Sequence, residues 1–351
     1  LEFYWNKKLW PKIIIEPNML LRKDLSKKLA HNFTGDLEKI IRLLLFELLP
    51  TCYLEGFAKL ERVVSNLKWP NSPKFIFTSN SYNTDEFFKL WTAKKIENST
   101  KYFIGQHGSN YGTRWDSINC IEEITPDKFI TWGWSDKSSK IVPGFVLKAA
   151  NSSLNYNPSG NLLLIETISY HRFTTYDFSN SFLRYLNEQK IFVSKLKKSP
   201  REKLIIRLHS GSQKDIWYQR ERWYDFDKSL KIDYGSGSIK DLLRKTRVAL
   251  FSYDSSGFLE NLSLNFPTLA FWQDNFDDYR KTAIPYYKPL LDNGIIHLSP
   301  ESAAAKINEI WSDVEGWWSQ SHVQKARKQF CDQFAKTSDA PISDLKKILV
   351  S

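Results

Sequence analysis

Residues 247–272 read RVALFSYDSSGFLENLSLNFPTLAFW, and four pieces follow one another in them. Residues 248–253 are an apolar run of strand length. Asp254-Ser255-Ser256-Gly257 is a turn whose residue types also start helices. Residues 258–264 carry apolar side chains at helical spacing, Asn265-Phe266-Pro267 stops that helix, and 268–272 is a second apolar strand. Strand, turn, helix and strand make the repeating unit of a parallel α/β sheet. The turn falls where free backbone N–H groups and the helix dipole attract an anion. Ser255 and Ser256 offer hydroxyls and Gly257 lets a phosphate come close. The competing reading is that one of the serines only caps the helix. Glu260, on the first turn, suits a hydrogen bond to a ribose better than it suits chemistry.

The same alternation extends in both directions. Residues 74–78 and 101–104 read as strands, the first ending in Ser79-Asn80-Ser81, the second in Gly105-Gln106-His107-Gly108. Residues 128–131 are a third, leading into Trp132-Gly133-Trp134. Residues 137–160 lose periodicity and read as a connection between domains. The next strand, 161–166, opens a second sheet and is followed by a turn over 167–178. Residues 203–208 end in His209-Ser210-Gly211-Ser212. In a parallel sheet such turns gather on one edge, where ligands bind. Two domains follow, 1–150 and 151–330, with a helix over 331–351. Residues 12–17 read as a strand, and 36–67, interrupted at Pro50, as core helices of the first domain. The tail is helical, with Ser299 or Ser302 as cap and Trp311, Trp317 and Trp318 as packing anchors.

A chain of 351 residues has room for two domains of ordinary size. The net charge of +11 attracts nucleic acid, anionic lipid or anionic substrates without choosing among them. No basic helix with interleaved aromatics is present, so nucleic acid is not an expected partner. The 13 Trp, 16 Tyr and 23 Phe suit large cores, sugar-stacking platforms and membrane surfaces alike. Cys52, Cys120 and Cys331 are far apart and lack CxxC spacing, which argues against a disulfide framework or a zinc site and for a reducing compartment. No apolar run is long enough to span a bilayer.

Four constellations can carry chemistry. His107, between glycines at a strand end, can bind an acceptor or take a hydroxyl proton, or be a turn histidine with a local bond. Arg207-Leu208-His209-Ser210 ends a strand just before the phosphate turn, where a solvent-facing histidine is the alternative. Asp177, in the turn after the first strand of the second domain, can attack an anomeric carbon or cap the next helix. Glu122 and Glu123 can supply an acid or base at a cleft edge, or be a solvated pair. Walker A, GxGxxG, HExxH and GxSxG patterns are absent, no DxD reads as a metal-binding loop motif, and metal-independent chemistry without a cofactor is expected.

The segments GQHGSNYG, ITWGW, SGNLLLIE, SYDSSGFLENLSLNFPTLAFW, AIPYYKPLLDNGIIH and SPESAAAKINEIW occur here in an order that resembles a family of bacterial O-antigen and surface-polysaccharide transferases. The likeness covers 74 to about 350 and is similar in kind to retaining β-Kdo glycosyltransferases. It implies a GT-B-like α/β fold: two Rossmann-like domains facing across a cleft, with C-terminal helices crossing back. It implies transfer of Kdo from CMP-β-Kdo, with retention, to an undecaprenyl-linked glycan. It would put His209, Arg207, Ser255, Ser256, Gly257 and Glu260 at the nucleotide. His209 is followed here by Ser210 where CMP-sugar enzymes often have Pro. Near the sugar it would put Asp177 as nucleophile, Glu123 and His107. Glu123 is chosen over Glu122 on the resemblance alone. It further implies peripheral attachment to the cytoplasmic face of the inner membrane, with the chain a candidate module of a larger multi-transferase polypeptide. A UDP-, GDP- or dTDP-sugar transferase and a non-catalytic glycan-binding protein are the alternatives.

Overall fold

The computed structural model describes residues 14–29, 34–117, 120–150, 152–168, 182–211, 218–272 and 276–350. The chain divides into two compact units, Leu1–Ile104 and Gly105–Ser351.

In the first unit, helices Met19–Leu29 and Asp36–Leu48 are tied by Arg22. Its guanidinium pairs with Glu55 at 2.7 Å and donates to the carbonyls of Phe46 and Leu49 that end the second helix. Buried and doubly paired, this cation closes carbonyls a helix end leaves open. The expected core helices are only partly so. Phe57–Ser65 buries Leu60 and Val64, but Asp36–Leu48 buries none of its residues, with Leu37 and Leu48 72% and 75% exposed. Its apolar stripe is real, yet no second layer covers it among the described residues. Ile14 to Pro17 is irregular, so the strand expected over 12–17 is not formed by its described part. Strand β1 (Phe75–Thr78) pairs in parallel with β2 (Lys101–Gly105), and Asp85 caps the helix Glu86–Ile96 by accepting from Phe88 N–H.

In the second unit, β3 (Lys128–Thr131) pairs in parallel with β4 (Ile141–Pro143), a short strand inside the stretch read as connection. A six-stranded sheet follows: β5 (Asn161–Ile165), β6 (Leu204–Arg207), β7 (Lys231–Asp233), β8 (Thr246–Phe251), β9 (Thr268–Phe271) and β10 (Ile296–His297). Its order is β10-β9-β8-β5-β6-β7 and every pairing is parallel. Leu162, Leu163 and Leu164 of β5 and Val248, Ala249 and Leu250 of β8 are all buried, which is why these strands read as unbroken apolar runs. Numbered from β5, the order is 3-2-1-4-5-6, the doubly wound arrangement of a Rossmann-like sheet. Its direction of winding reverses between β5 and β8, the point where such sheets bind ligands. The chain is thus an α/β protein with parallel, Rossmann-like sheets.

The C-terminal helices close the unit. Ser299 caps Pro300–Ile310, and Trp311, Trp317 and Trp318 are buried as expected. After Ser321–Phe334, Lys336 N–H donates to Trp132 and its carbonyl accepts from Val146 N–H, so the tail bonds to the segment that leaves β3.

Candidate functional site

A cavity of about 250 Å³ opens at the carboxyl ends of β5, β6 and β8. Ile165 and Glu166 reach it from β5, Arg207 to Ser210 from β6, and Phe251 and Tyr253 from β8. Gly257 and Glu260 come from the helix Ser256–Ser263, and Lys148 and Lys240 add cations. This is the reversal point of the sheet, and the helix start brings N–H groups without intrahelical acceptors, here of Ser256 and Gly257. Ile239, Leu243 and Leu264 supply an apolar wall beside Asn261.

His209 stands on the loop after β6. Its Nδ1 accepts from Gly211 N–H at 3.0 Å. An imidazole nitrogen that accepts carries no proton, so neutral His209 bears its hydrogen on Nε2 and is a donor there. Partial desolvation lowers its pKa, which favours the neutral form. Arg207 is differently engaged: it pairs with Asp233 at 2.7 Å and donates to the carbonyl of Gly237 at 2.7 Å. It positions the loop after β7 and adds positive potential to the cavity wall.

The two serines of the turn do not line the cavity. Ser255 Oγ accepts from Phe258 N–H at 3.1 Å, which makes it the helix cap. Ser256 Oγ accepts from Ser109 N–H at 2.9 Å, locking the Gly105–Ser117 segment onto the helix start. A side chain at Gly108 would place its Cβ 2.9 Å from that hydroxyl and push it off the Ser109 N–H. Replacing Ser255 by Ala is expected to cost about 1 kcal/mol of stability in urea unfolding and to leave nucleotide binding unchanged. Loss of binding would return the serine to the phosphate. Glu260 lies 3.4 Å from Lys148 Nζ.

Glu166, which the sequence reading passed over as a strand end, is the most perturbed acid of the cavity. It is 2% exposed, and burial pushes its pKa up to about 8. Trp223 Nε1–H donates to it at 3.1 Å and Gln219 Nε2–H at 3.4 Å. Beside it, Tyr185 O–H and Ser252 Oγ are 2.8 Å apart, and Ser252 donates to Ile165, binding the ends of β5 and β8 together.

The Gly105–Ser117 segment holds the second cluster. Gln106 is its staple: its Oε1 accepts from Trp132 N–H at 3.0 Å and from Trp134 Nε1–H at 2.9 Å, and its Nε2 donates to Gly108 at 2.8 Å. His107 Nδ1 lies 3.3 Å from the hydroxyl of Tyr111, which donates to Glu122 at 2.8 Å. Glu122, not Glu123, is therefore the carboxylate joined to His107. Glu123 turns to Arg280, 3.6 Å away. Asp177, with Tyr170, His171, Arg172 and Tyr176, lies outside the described residues. Among the described residues, no three His, Cys, Asp or Glu side chains gather as metal ligands would, and no helix is long and apolar enough to cross a membrane.

Several solved structures resemble the chain at low identity. The Staphylococcus aureus MnaA–UDP co-structure has 9% identity and a TM-score of 0.46, over 95% of this chain and 92% of that one. The wall teichoic acid polymerase TagF has 11% and 0.37, over 86% and 94%. WaaG, a glycosyltransferase involved in lipopolysaccharide biosynthesis, has 13% and 0.39, over 84% and 94%. Likenesses this distant carry no function to this chain, and its fold rests on its own strand order. No curated protein matches it in sequence. A family model does, along almost the whole length, from residue 3 to 349, and by that match the chain belongs to the LIC12162 family of transferases.

Proposed function

We propose that the chain is a GT-B-type glycosyltransferase whose sugar-nucleotide donor binds in the cavity at the β5/β8 reversal. The placement of that cavity carries the reading: a helix start, His209 with its Nε2–H, and the cations of Lys148, Arg207 and Lys240 all line it. Such a set suits a phosphate. The apolar wall of Ile239, Leu243 and Leu264 suits a nucleobase, and Glu260 a ribose.

In its finer form the donor is CMP-β-Kdo, whose phosphate and carboxylate suit the basic wall. Transfer goes with retention through a glycosyl intermediate on Asp177 to an undecaprenyl-linked glycan in surface-polysaccharide synthesis. The protein then works at the cytoplasmic face of the inner membrane, held by basic and aromatic surface without a span, needs no metal, and binds its acceptor through residues 1–150. What supports this form is the resemblance of the quoted segments and the phosphate chemistry of His209.

Thermal unfolding with CMP, UDP, GDP and dTMP in parallel tests it. A ligand at a hundredfold its Kd stabilises the native state by about 2.7 kcal/mol. A rise with CMP alone is expected. A rise with another nucleotide keeps the transferase and discards Kdo, and no rise with any discards the donor site.

A further inference from the structure

His107 and His209 are held in opposite tautomers. Tyr111 has one hydroxyl hydrogen, and Glu122 takes it at 2.8 Å. The tyrosine oxygen can then only accept from the ring nitrogen 3.3 Å away, so His107 carries its hydrogen on Nδ1. That leaves a lone pair on Nε2, where His209 has an N–H. The arrangement is built rather than incidental. Tyr111 is buried and packs on Phe129, the Gln106 staple fixes the backbone on one side of His107, and the Ser109–Ser256 bond fixes it on the other. Ser256 directly precedes Gly257 of the cavity, and Lys148, which lines the cavity, lies close enough for its charge to act on His107.

We propose that His107 is the base that takes the proton of the incoming acceptor hydroxyl, with Tyr111 and Glu122 as the residues that position it and set its tautomer. In the step, the hydroxyl proton passes to His107 Nε2 and the acceptor oxygen bonds to the anomeric carbon. The bond from that carbon to its leaving oxygen breaks, the electron pair staying on that oxygen, and the imidazolium later returns its proton to water. The inference rests on the glycosyltransferase reading. Burial, the largest influence, keeps the imidazole neutral near pH 7; the Glu122 carboxylate raises its basicity and Lys148 lowers it. Among the described residues, these are the charged groups that act on it.

The test has two arms. Nitrogen-15 histidine spectra of the whole protein, with His107 assigned from a His107→Gln variant, are expected to show the Nδ1–H tautomer, and Tyr111→Phe is expected to abolish that preference. An Nε2–H tautomer in the wild type would overturn the proposal. The second arm follows CMP release from CMP-Kdo with water as acceptor against pH. His107→Gln is expected to lower turnover by about 10²-fold or more. Glu122→Gln is expected to move the acidic limb of the profile to lower pH, since it removes the anion that raises His107. A merely structural Glu122 would leave that limb in place, and would sink the relay. If the nucleotide panel shows no stabilisation while the tautomer is as described, the donor reading fails and the histidine geometry stands.

Discussion

Gln106→Leu is expected to be among the most destabilising single substitutions in the protein. The change keeps an uncharged side chain of similar bulk but strands three buried partners: Trp132 N–H, the Trp134 indole N–H and the Gly108 carbonyl. Each buried polar group left without a partner costs about 1–3 kcal/mol. The sum, roughly 3–9 kcal/mol, is a large share of the 5–15 kcal/mol that holds a typical domain together. Urea unfolding measures it directly. The loss should also reach the chemistry, because the same amide holds the backbone that carries His107. A variant less than about 1 kcal/mol weaker would mean that the staple is dispensable.

Glu166→Gln is expected to act in the opposite direction, increasingly so as pH rises above about 5. In the folded protein burial holds this carboxyl up to about 8, whereas the ordinary value is 4.5. Between those values the folded chain keeps a proton that the unfolded chain has released. Stability therefore falls as pH rises through this window, by at most about 1.4 kcal/mol per pH unit. Glutamine imitates the neutral acid, accepts from Trp223 as before and never ionises. The variant should match the wild type near pH 5 and exceed it at pH 8 by on the order of 4 kcal/mol. Parallel stability curves across that range would show that Glu166 is ionised in the native protein.

Much of the fold was legible because the central strands are buried on both faces. LLL in β5 and VAL in β8 are apolar without alternation, and the serine, glycine and proline around them mark turn, helix start and helix stop. The elements that escaped are those whose formation depends on distant partners. β4 and β7 are three residues each, too short for periodicity to register, and β7 reads KID, with charges at both ends. The Asp36–Leu48 stripe was correctly periodic, but periodicity says nothing of what covers it. The site divided in the same way. His107, His209, Gly257 and Glu260 could be named from their places at strand ends and on the helix start. The capping role of Ser255 was open in the sequence, and the Phe258 N–H bond shows it. Arg207 was named, but its commitment to Asp233 lies 26 residues away. Glu166 was missed because Trp223, 57 residues on, is what reveals its burial. Between Glu122 and Glu123 the sequence offers no distinction. The one-turn helix Ile121–Ile124 gives them different partners, directing Glu122 to Tyr111 and Glu123 to Arg280.

The most direct test of the central claim is calorimetric titration of CMP into the wild type, His209→Ala and Ser255→Ala. If the nucleotide phosphate meets the Nε2–H of His209 at the start of the helix Ser256–Ser263, the wild type and Ser255→Ala bind alike. His209→Ala then binds about tenfold or more weakly, the loss of one charge-assisted hydrogen bond of roughly 1.5–3 kcal/mol. Equal affinity in all three proteins would place the nucleotide elsewhere and contradict the assignment of this cavity.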